Sequence, residues 1–263
     1  MKVLAGCMVT VLAILNLASA QGIFSMFPCQ GRVTYKVTIA YSWSAATHPM
    51  SYPEGGFFSP LVIASHGAYY TMWSPLGYSS PGVQMVAETG GTSAIVDELL
   101  TENYRNVFQR VVADGPASGT STISYMIDVH GARPFISAIS MFFPSPDWFT
   151  GFDNVNMCDE ETGEYVEVKE GNLSAWDAGT DDGETFTSED VPLEPGRRTP
   201  IISILASTFQ GIPPCYSPAP TPEQYRLPQA SYPVLSRLRI YPLDGKPRYT
   251  HQHNAATSFW IRV

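Results

Sequence analysis

The sequence predicts a mostly β protein: an antiparallel β-sandwich with one crossover helix and long loops. Three observations point there. Several segments alternate large apolar residues with small or polar ones at a period of two. One stretch follows helical spacing instead. The remainder is dense in turn formers, with 21 Gly and 22 Pro in 263 residues.

The chain opens with Lys2, an apolar run over residues 9–17 and the small residues Ala18, Ser19 and Ala20. This reads as a secretory signal peptide (residues 1–20) cleaved after Ala20, too short for a membrane span. No later stretch approaches about twenty apolar residues. A secreted, soluble protein is expected.

The clearest strand is "GRVTYKVTIAYSW". Val33, Tyr35, Val37, Ile39, Tyr41 and Trp43 fall on one face, with Thr34, Lys36, Thr38, Ala40 and Ser42 on the other. "TISYMIDV" repeats the pattern, with Ile123, Tyr125, Ile127 and Val129 opposite Thr122, Ser124, Met126 and Asp128. "PFISAISMFF" is apolar on both faces, as a central strand is. "VLSRLRIYP" alternates again. The helical stretch is "TSAIVDELLTENYRNVFQRVV", where Ile95, Leu99, Val107, Phe108 and Val111 recur at helical spacing. Thr92 or Ser93 caps its start and Gly115-Pro116 ends it. The Pro-rich stretch 212–233 reads as an irregular excursion.

Charge is unevenly spread. The formal net charge is −9, or −10 once Lys2 is removed. Residues 159–194 hold thirteen Asp and Glu against one Lys. This balance argues against a nucleic-acid binder, and an acidic loop is also where a hard cation binds. Beyond the signal the chain keeps Cys29, Cys158 and Cys215. In an oxidising compartment two pair and one is left over.

Asp128, Asp147 and Asp177 carry the chemistry of interest. Asp128 sits on a strand, Asp147 in the loop after the next strand, and Asp177 in "SAWDAGTDDGETF". If the strands at 122–129 and 135–143 form a hairpin, Asp128 lies at its turn and Asp147 at its far end. The residues alone do not bring all three together. The competing reading is structural: Asp147 caps a turn after Pro146, and Asp177 and Asp181 serve an Asx-turn. Ser65-His66 lacks the surroundings of a hydrolase nucleophile, and neighbouring residues of a strand point to opposite faces. His251-Gln252-His253 reads as an exposed tail. "NLS" at Asn172 is an N-glycosylation sequon, five residues before Asp177.

"YSWSAATHPMSYP", "FFSPLVIASHGAYYTMW", "GVQMVAETG", "PSPDWFTGFDNVNMC" and "WDAGTDDGETF" follow one another in the order and approximate spacing of a known domain. Through these motifs residues 29–242 resemble the spondin N-terminal domain family, in its F-spondin- and mindin-like form. Residues 243–263 remain as a C-terminal tail without Cys, so a stand-alone domain lacking thrombospondin-type repeats is expected. The resemblance implies a non-enzymatic extracellular-matrix or cell-adhesion protein. Its fold would be similar to calcium-dependent lipid-binding sandwich domains. It further implies a divalent cation, Ca²⁺ before Mg²⁺, held by Asp147, Asp177 and Asp128. The family can use Glu at the last position, so a shorter Asp is a departure. Trp148 would be packed support for Asp147, and a Cys29–Cys158 disulfide is implied, leaving Cys215 over. The expected partner is a cell-surface receptor or matrix component, with a glycan among the candidates. A cation-dependent carbohydrate or pathogen-recognition module is the alternative.

Overall fold

The computed structural model describes residues 27–49, 52–103, 105–204 and 235–243. The expected signal peptide, Cys215, the Pro-rich stretch and the tail histidines lie outside the described residues.

Strand β1 (Arg32–Tyr41) is followed by β2 (Phe57–Phe58) and β3 (Leu61–His66). Two helices come next, α1 (Pro81–Thr89) and α2 (Ser93–Thr101). The long strands β4 (Val107–Ala113), β5 (Thr122–His130), β6 (Phe135–Phe143) and β7 (Trp148–Asn156) succeed one another. Shorter ones close the chain: β8 (Cys158–Asp159), β9 (Glu164–Tyr165), β10 (Lys169–Leu173), β11 (Ala175–Asp177) and β12 (Ile202–Ser203), then β13 (Ser236–Pro242).

One sheet has four strands in the order β10-β13-β1-β5, and the other has seven in the order β12-β11-β7-β6-β3-β4, with β2 beside β6. Every pairing between these strands is antiparallel. The two sheets face each other across the main core. β1 contributes Tyr35, Val37, Ile39 and Tyr41 to it, as the alternation requires. Each large side chain so buried is worth about 1.5–3 kcal/mol. β6 is indeed central and buried on both faces, with Ala138 and Phe142 turned to the inter-sheet core and Ile139 to a second one.

That second core explains the helices. Val83, Val86, Ala87, Ile95 and Leu99 pack with Val62, Ala64, Ile139 and Phe149 on the outer face of the seven-stranded sheet. The molecule is thus a sandwich with a helical layer on one side. The single helix expected over residues 92–112 ends in fact at Thr101. Val107, Phe108 and Val111 belong to β4, which pairs with β3. A β-branched and aromatic run beside an open sheet edge prefers the strand, and the helical spacing of those residues is coincidental. The helix at Pro81–Thr89 was not expected. Its signals are local: Ser80 caps it by accepting the Val83 N–H, Pro81 opens it, and Gly90 closes it in the left-handed region.

β5 and β6 do not form a hairpin. β5 pairs with β1 in the smaller sheet, and β6 pairs with β3 and β7 in the larger. The connection at 131–134 therefore crosses between sheets at one end of the sandwich. At that end the Cys29–Cys158 disulfide joins the chain before β1 to β8, with Cα atoms 5.8 Å apart. The loops at 42–56, 114–121, 144–147 and 178–200 gather at the opposite end. An aromatic cluster stiffens that end. Trp43 meets Tyr52, Phe142 and Phe186 at 5.1 Å between centroids, and Phe186 meets Trp148 at 4.8 Å.

Candidate cation site

Asp147 ends the short loop between β6 and β7. Ser145 pins that loop: its hydroxyl donates to the Phe142 carbonyl at 2.7 Å and accepts the Trp148 N–H at 3.1 Å. Asp177 ends β11, where it pairs with Trp148 of β7. The chain then wraps around Asp147, and the Ala178 N–H donates to the Asp147 carbonyl at 3.1 Å. Gly179 makes this turn possible with φ +71°.

The Asp147 side chain is fully buried. Its Oδ2 accepts three hydrogen bonds, from Thr180 N–H at 2.7 Å, Asp181 N–H at 3.1 Å and Thr180 Oγ1 at 3.3 Å. Its Oδ1 has no hydrogen-bond partner among the described residues. A buried acceptor left unmet costs about 1–3 kcal/mol, and more when charged. Asp177 is half-buried, and its Oδ1 accepts the Gly179 N–H at 2.7 Å. Burial and the Asp177 charge push the Asp147 carboxyl well above the usual carboxylate range, outweighing the donors Thr180 and Asp181. Burial raises Asp177 as well, against hydrogen bonds from Gly179 and Trp148.

Asp181 is the third carboxylate drawn to this corner, and its charge raises both others. Its own oxygens are engaged by backbone, Oδ1 with Gly183 N–H at 2.8 Å and Oδ2 with Val191 N–H at 2.7 Å. The Asx-turn reading of this loop is therefore realised alongside the clustering. The signal for Asp181 was the four-residue spacing in DAGTD, with a Gly at the turn.

Asp128 does not join them. It lies on the outer face of the four-stranded sheet, where its carboxylate takes hydrogen bonds from Arg32 and Thr34. Burial alone would raise its pKa; those two groups outweigh burial and hold it below the ordinary value. β6 carries the chain from the Asp128 end to the Asp147 end, a run of roughly 25 Å for a strand of that length. Among the described residues no three His, Cys, Asp or Glu side chains converge as a ready-made ligand set.

Asn172 is exposed on β10, the edge strand of the smaller sheet, opposite Arg237 of β13. The chain changes sheets at Ser174, so Asn172 stands on a strand and not on the loop of Asp177. Ser65 and His66 do point to opposite faces. Ser65 Oγ accepts the Gln109 N–H at 3.2 Å, while His66 reaches Ser137. Trp148 is buried against Phe186, as packed support for the loop.

A Spondin_N family profile matches residues 33–217. The chain belongs to the Spondin_N family. Spondin-1 of Rattus norvegicus and of Homo sapiens are each 31% identical over 215 residues, 79% of this chain. Spondin-2 of Rattus norvegicus is 29% identical over 248 residues, 91% of this chain and 71% of the relative. The chain spans about a quarter of the length of the Spondin-1 relatives, 26%. The Spondin_N match includes β1 to β12 and thus both aspartate loops at the candidate site. No helix among the described residues is long and apolar enough to cross a membrane.

Proposed function

We propose that this Spondin_N domain is a secreted, non-enzymatic matrix or cell-adhesion module that binds a divalent cation at its loop end. The observation that carries the reading is the unpartnered, buried Oδ1 of Asp147 beside Asp177. Carboxylates forced together in a dry corner repel, and a hard cation offsets that repulsion. Asp147 and Asp177 would hold it, with Asp181 adding charge and backbone carbonyls or water completing the shell. Ca²⁺ tolerates such a mixed, irregular oxygen set better than Mg²⁺, which demands near-octahedral geometry. The cation would fix the 144–147 and 178–183 loops as a recognition edge for a cell-surface receptor or matrix component.

Calorimetric titration of metal-stripped protein with CaCl₂ and with MgCl₂ tests this. One site is expected in the native protein and in Asp128→Ala, and none in Asp147→Asn or Asp177→Asn. Unchanged affinity in both of the latter would overturn the assignment.

Carbohydrate recognition is the second reading, and one feature favours it. A shallow cleft of about 390 Å³ at the same end is lined by Tyr52, Phe57, Ser44, Ser118 and Thr120 around Trp43. Aromatic faces with hydroxyls suit a sugar. Glycan-array binding abolished by chelator would support this reading, and chelator-sensitive cell adhesion without glycan binding would support the first.

A further inference from the structure

His66, Ser137 and Asp153 form a buried polar chain on the helix-covered face of the larger sheet, away from the aspartate corner. Two bulges build it. Ile136 faces Val155 and Ala138 faces Phe152, so Asp153 and Asn154 together oppose the single Ser137. Asn154 takes φ +54° to do so. On the other side Ser65 faces Gln109 and His66 faces Val107, leaving Phe108 over. His66 and Ser137 are fully buried, and Asp153 is 8% exposed.

The hydrogens in this chain can be counted. His66 Nδ1 lies 3.0 Å from the Gly67 carbonyl oxygen. A carbonyl only accepts, so Nδ1 carries a hydrogen. His66 Nε2 is 2.7 Å from Ser137 Oγ, and Oγ is 2.7 Å from Asp153 Oδ1. Two contacts need two hydrogens, and the serine hydroxyl has one. The Asn154 N–H donates to Oγ at 2.9 Å and supplies neither contact. The second hydrogen therefore sits on Nε2, as imidazolium with carboxylate, or on Oδ1, as neutral imidazole with carboxylic acid. The forms interconvert when Nε2–H passes to Oγ as Oγ–H passes to Oδ1.

We propose that His66, Ser137 and Asp153 share one proton as a unit, and that its uptake on acidification fastens the 67–72 loop. Without that proton, Nε2 and the carboxylate both present lone pairs to one hydroxyl. The carboxylate is the stronger acceptor and keeps it, so the His66 contact opens. His66 packs edge-on against Tyr70 at 5.1 Å and stacks on Phe135 at 6.0 Å. Its release loosens the loop where it leaves β3. The far end of the loop is held at Asp153 itself, whose carboxyl takes hydrogen bonds from the Trp73 and Met72 N–H groups and keeps them when the unit loses its proton. Trp73 Nε1 donates to the Ala138 carbonyl at 3.1 Å, and its ring packs on Phe149 and Trp176.

The titratable groups around the chain are Tyr70 in the loop, Glu98 of α2 and Glu102 just after it; the charges of Glu98, Asp153 and Glu102 all bear on the Tyr70 hydroxyl. Burial keeps the Tyr70 hydroxyl protonated and neutral, and the two glutamates favour retention of the proton. The stem of Arg133 lies beside Gly67, and its guanidinium turns to the Arg105 carbonyl at 3.1 Å. Burial raises Asp153 to about 6, against donors that include Ser137, and burial lowers His66. The proton thus comes off near the weakly acidic range.

Hydrogen exchange from pH 5 to 8, corrected for intrinsic rates, tests the proposal. Amides of residues 67–71 should be about tenfold better protected at pH 5 than at pH 7.5, with the strands unchanged. Asp153→Asn donates to Ser137 through its amide and does not titrate, so its loop should stay protected at every pH. Ser137→Ala cuts the chain and should leave the loop loose throughout. Flat protection in the native protein, or native pH dependence in Asp153→Asn, overturns the proposal. Should either variant fail to fold, NMR of the native protein decides alone. The His66 ring nitrogens and the Asp153 carboxyl carbon should then titrate with one common midpoint, and separate midpoints sink the idea.

Discussion

The charge of Asp177 bears on the buried Asp147 carboxyl inside a single corner of the sandwich, and neither residue forms an ion pair with a Lys or Arg among the described residues. An amide at position 147 fixes the uncharged form that this setting favours, so it should spare the metal-free fold and harm metal binding. Asp147→Asn is expected to melt at or above the native temperature after treatment with EDTA. Native protein should gain about 2.7 kcal/mol at a hundredfold excess of CaCl₂ over Kd. For a domain of this size that is roughly 5–10 °C in melting temperature. The variant should gain nothing. A melting temperature of native protein indifferent to both Ca²⁺ and Mg²⁺, or a full shift in the variant, would contradict this account.

Asp128 makes the opposite prediction. Asp128→Ala loses the contacts to Arg32 and Thr34, with a cost of about 1–2 kcal/mol for a partly exposed pair, while cation titration is unchanged. The linkage has a definite sign. Its folded pKa lies below the unfolded value of 3.8, so the unfolded chain binds more protons between the two. The stabilisation is present above pH 3.8 and is lost as pH falls through the folded pKa. Native protein and Asp128→Ala should thus converge in denaturant midpoint at the acid end. A gap that persists there would refute the ion-pair explanation.

Much of the sandwich was legible because burial on one face writes a period of two into β1, β5 and β13. β6 was legible because both its faces meet a core. The helical layer was less so: α2 and β4 adjoin, and their apolar residues merge into one false helical period until β4 is paired with β3. The two aspartate loops were legible as motifs. The place of Asp128 was not, since nothing in "TISYMIDV" says that the next strand crosses to the other sheet. The His66–Ser137–Asp153 chain was hidden for the same reason, as two bulges bring together residues far apart in sequence.

The Cys29–Cys158 bridge closes a loop with a sequence separation of 129. Loop-closure entropy for such a length gives up to about 5 kcal/mol of stability. It also anchors the end of the sandwich away from the aspartates. Cys29→Ala with Cys158→Ala should lower the denaturant midpoint substantially. Cation affinity of the fraction that remains folded should be unchanged. Peptide mapping under non-reducing conditions that finds Cys215 bridged to either partner would remove the basis for this prediction.

Gly179 offers the sharpest test of how the aspartate corner is built. Its φ of +71° lies in the left-handed region, which costs a side-chain-bearing residue about 1–2 kcal/mol. A Cβ there would also stand 2.1 Å from the Thr199 carbonyl oxygen, so backbone has to move. The Thr199 N–H donates to the Gly179 carbonyl at 3.0 Å, which leaves that segment no easy retreat. The turn follows Asp177 directly and delivers the Thr180 and Asp181 N–H groups to Asp147. Gly179→Ala is therefore expected to cost more than about 2 kcal/mol in the metal-free protein. It should weaken Ca²⁺ binding although no carboxylate has changed. Gly171→Ala, at a glycine with open space around its Cβ position, serves as the control and should leave cation affinity unaltered. Equal stability and equal affinity for Gly179→Ala and native protein would mean that the 178–183 turn does not position the carboxylates.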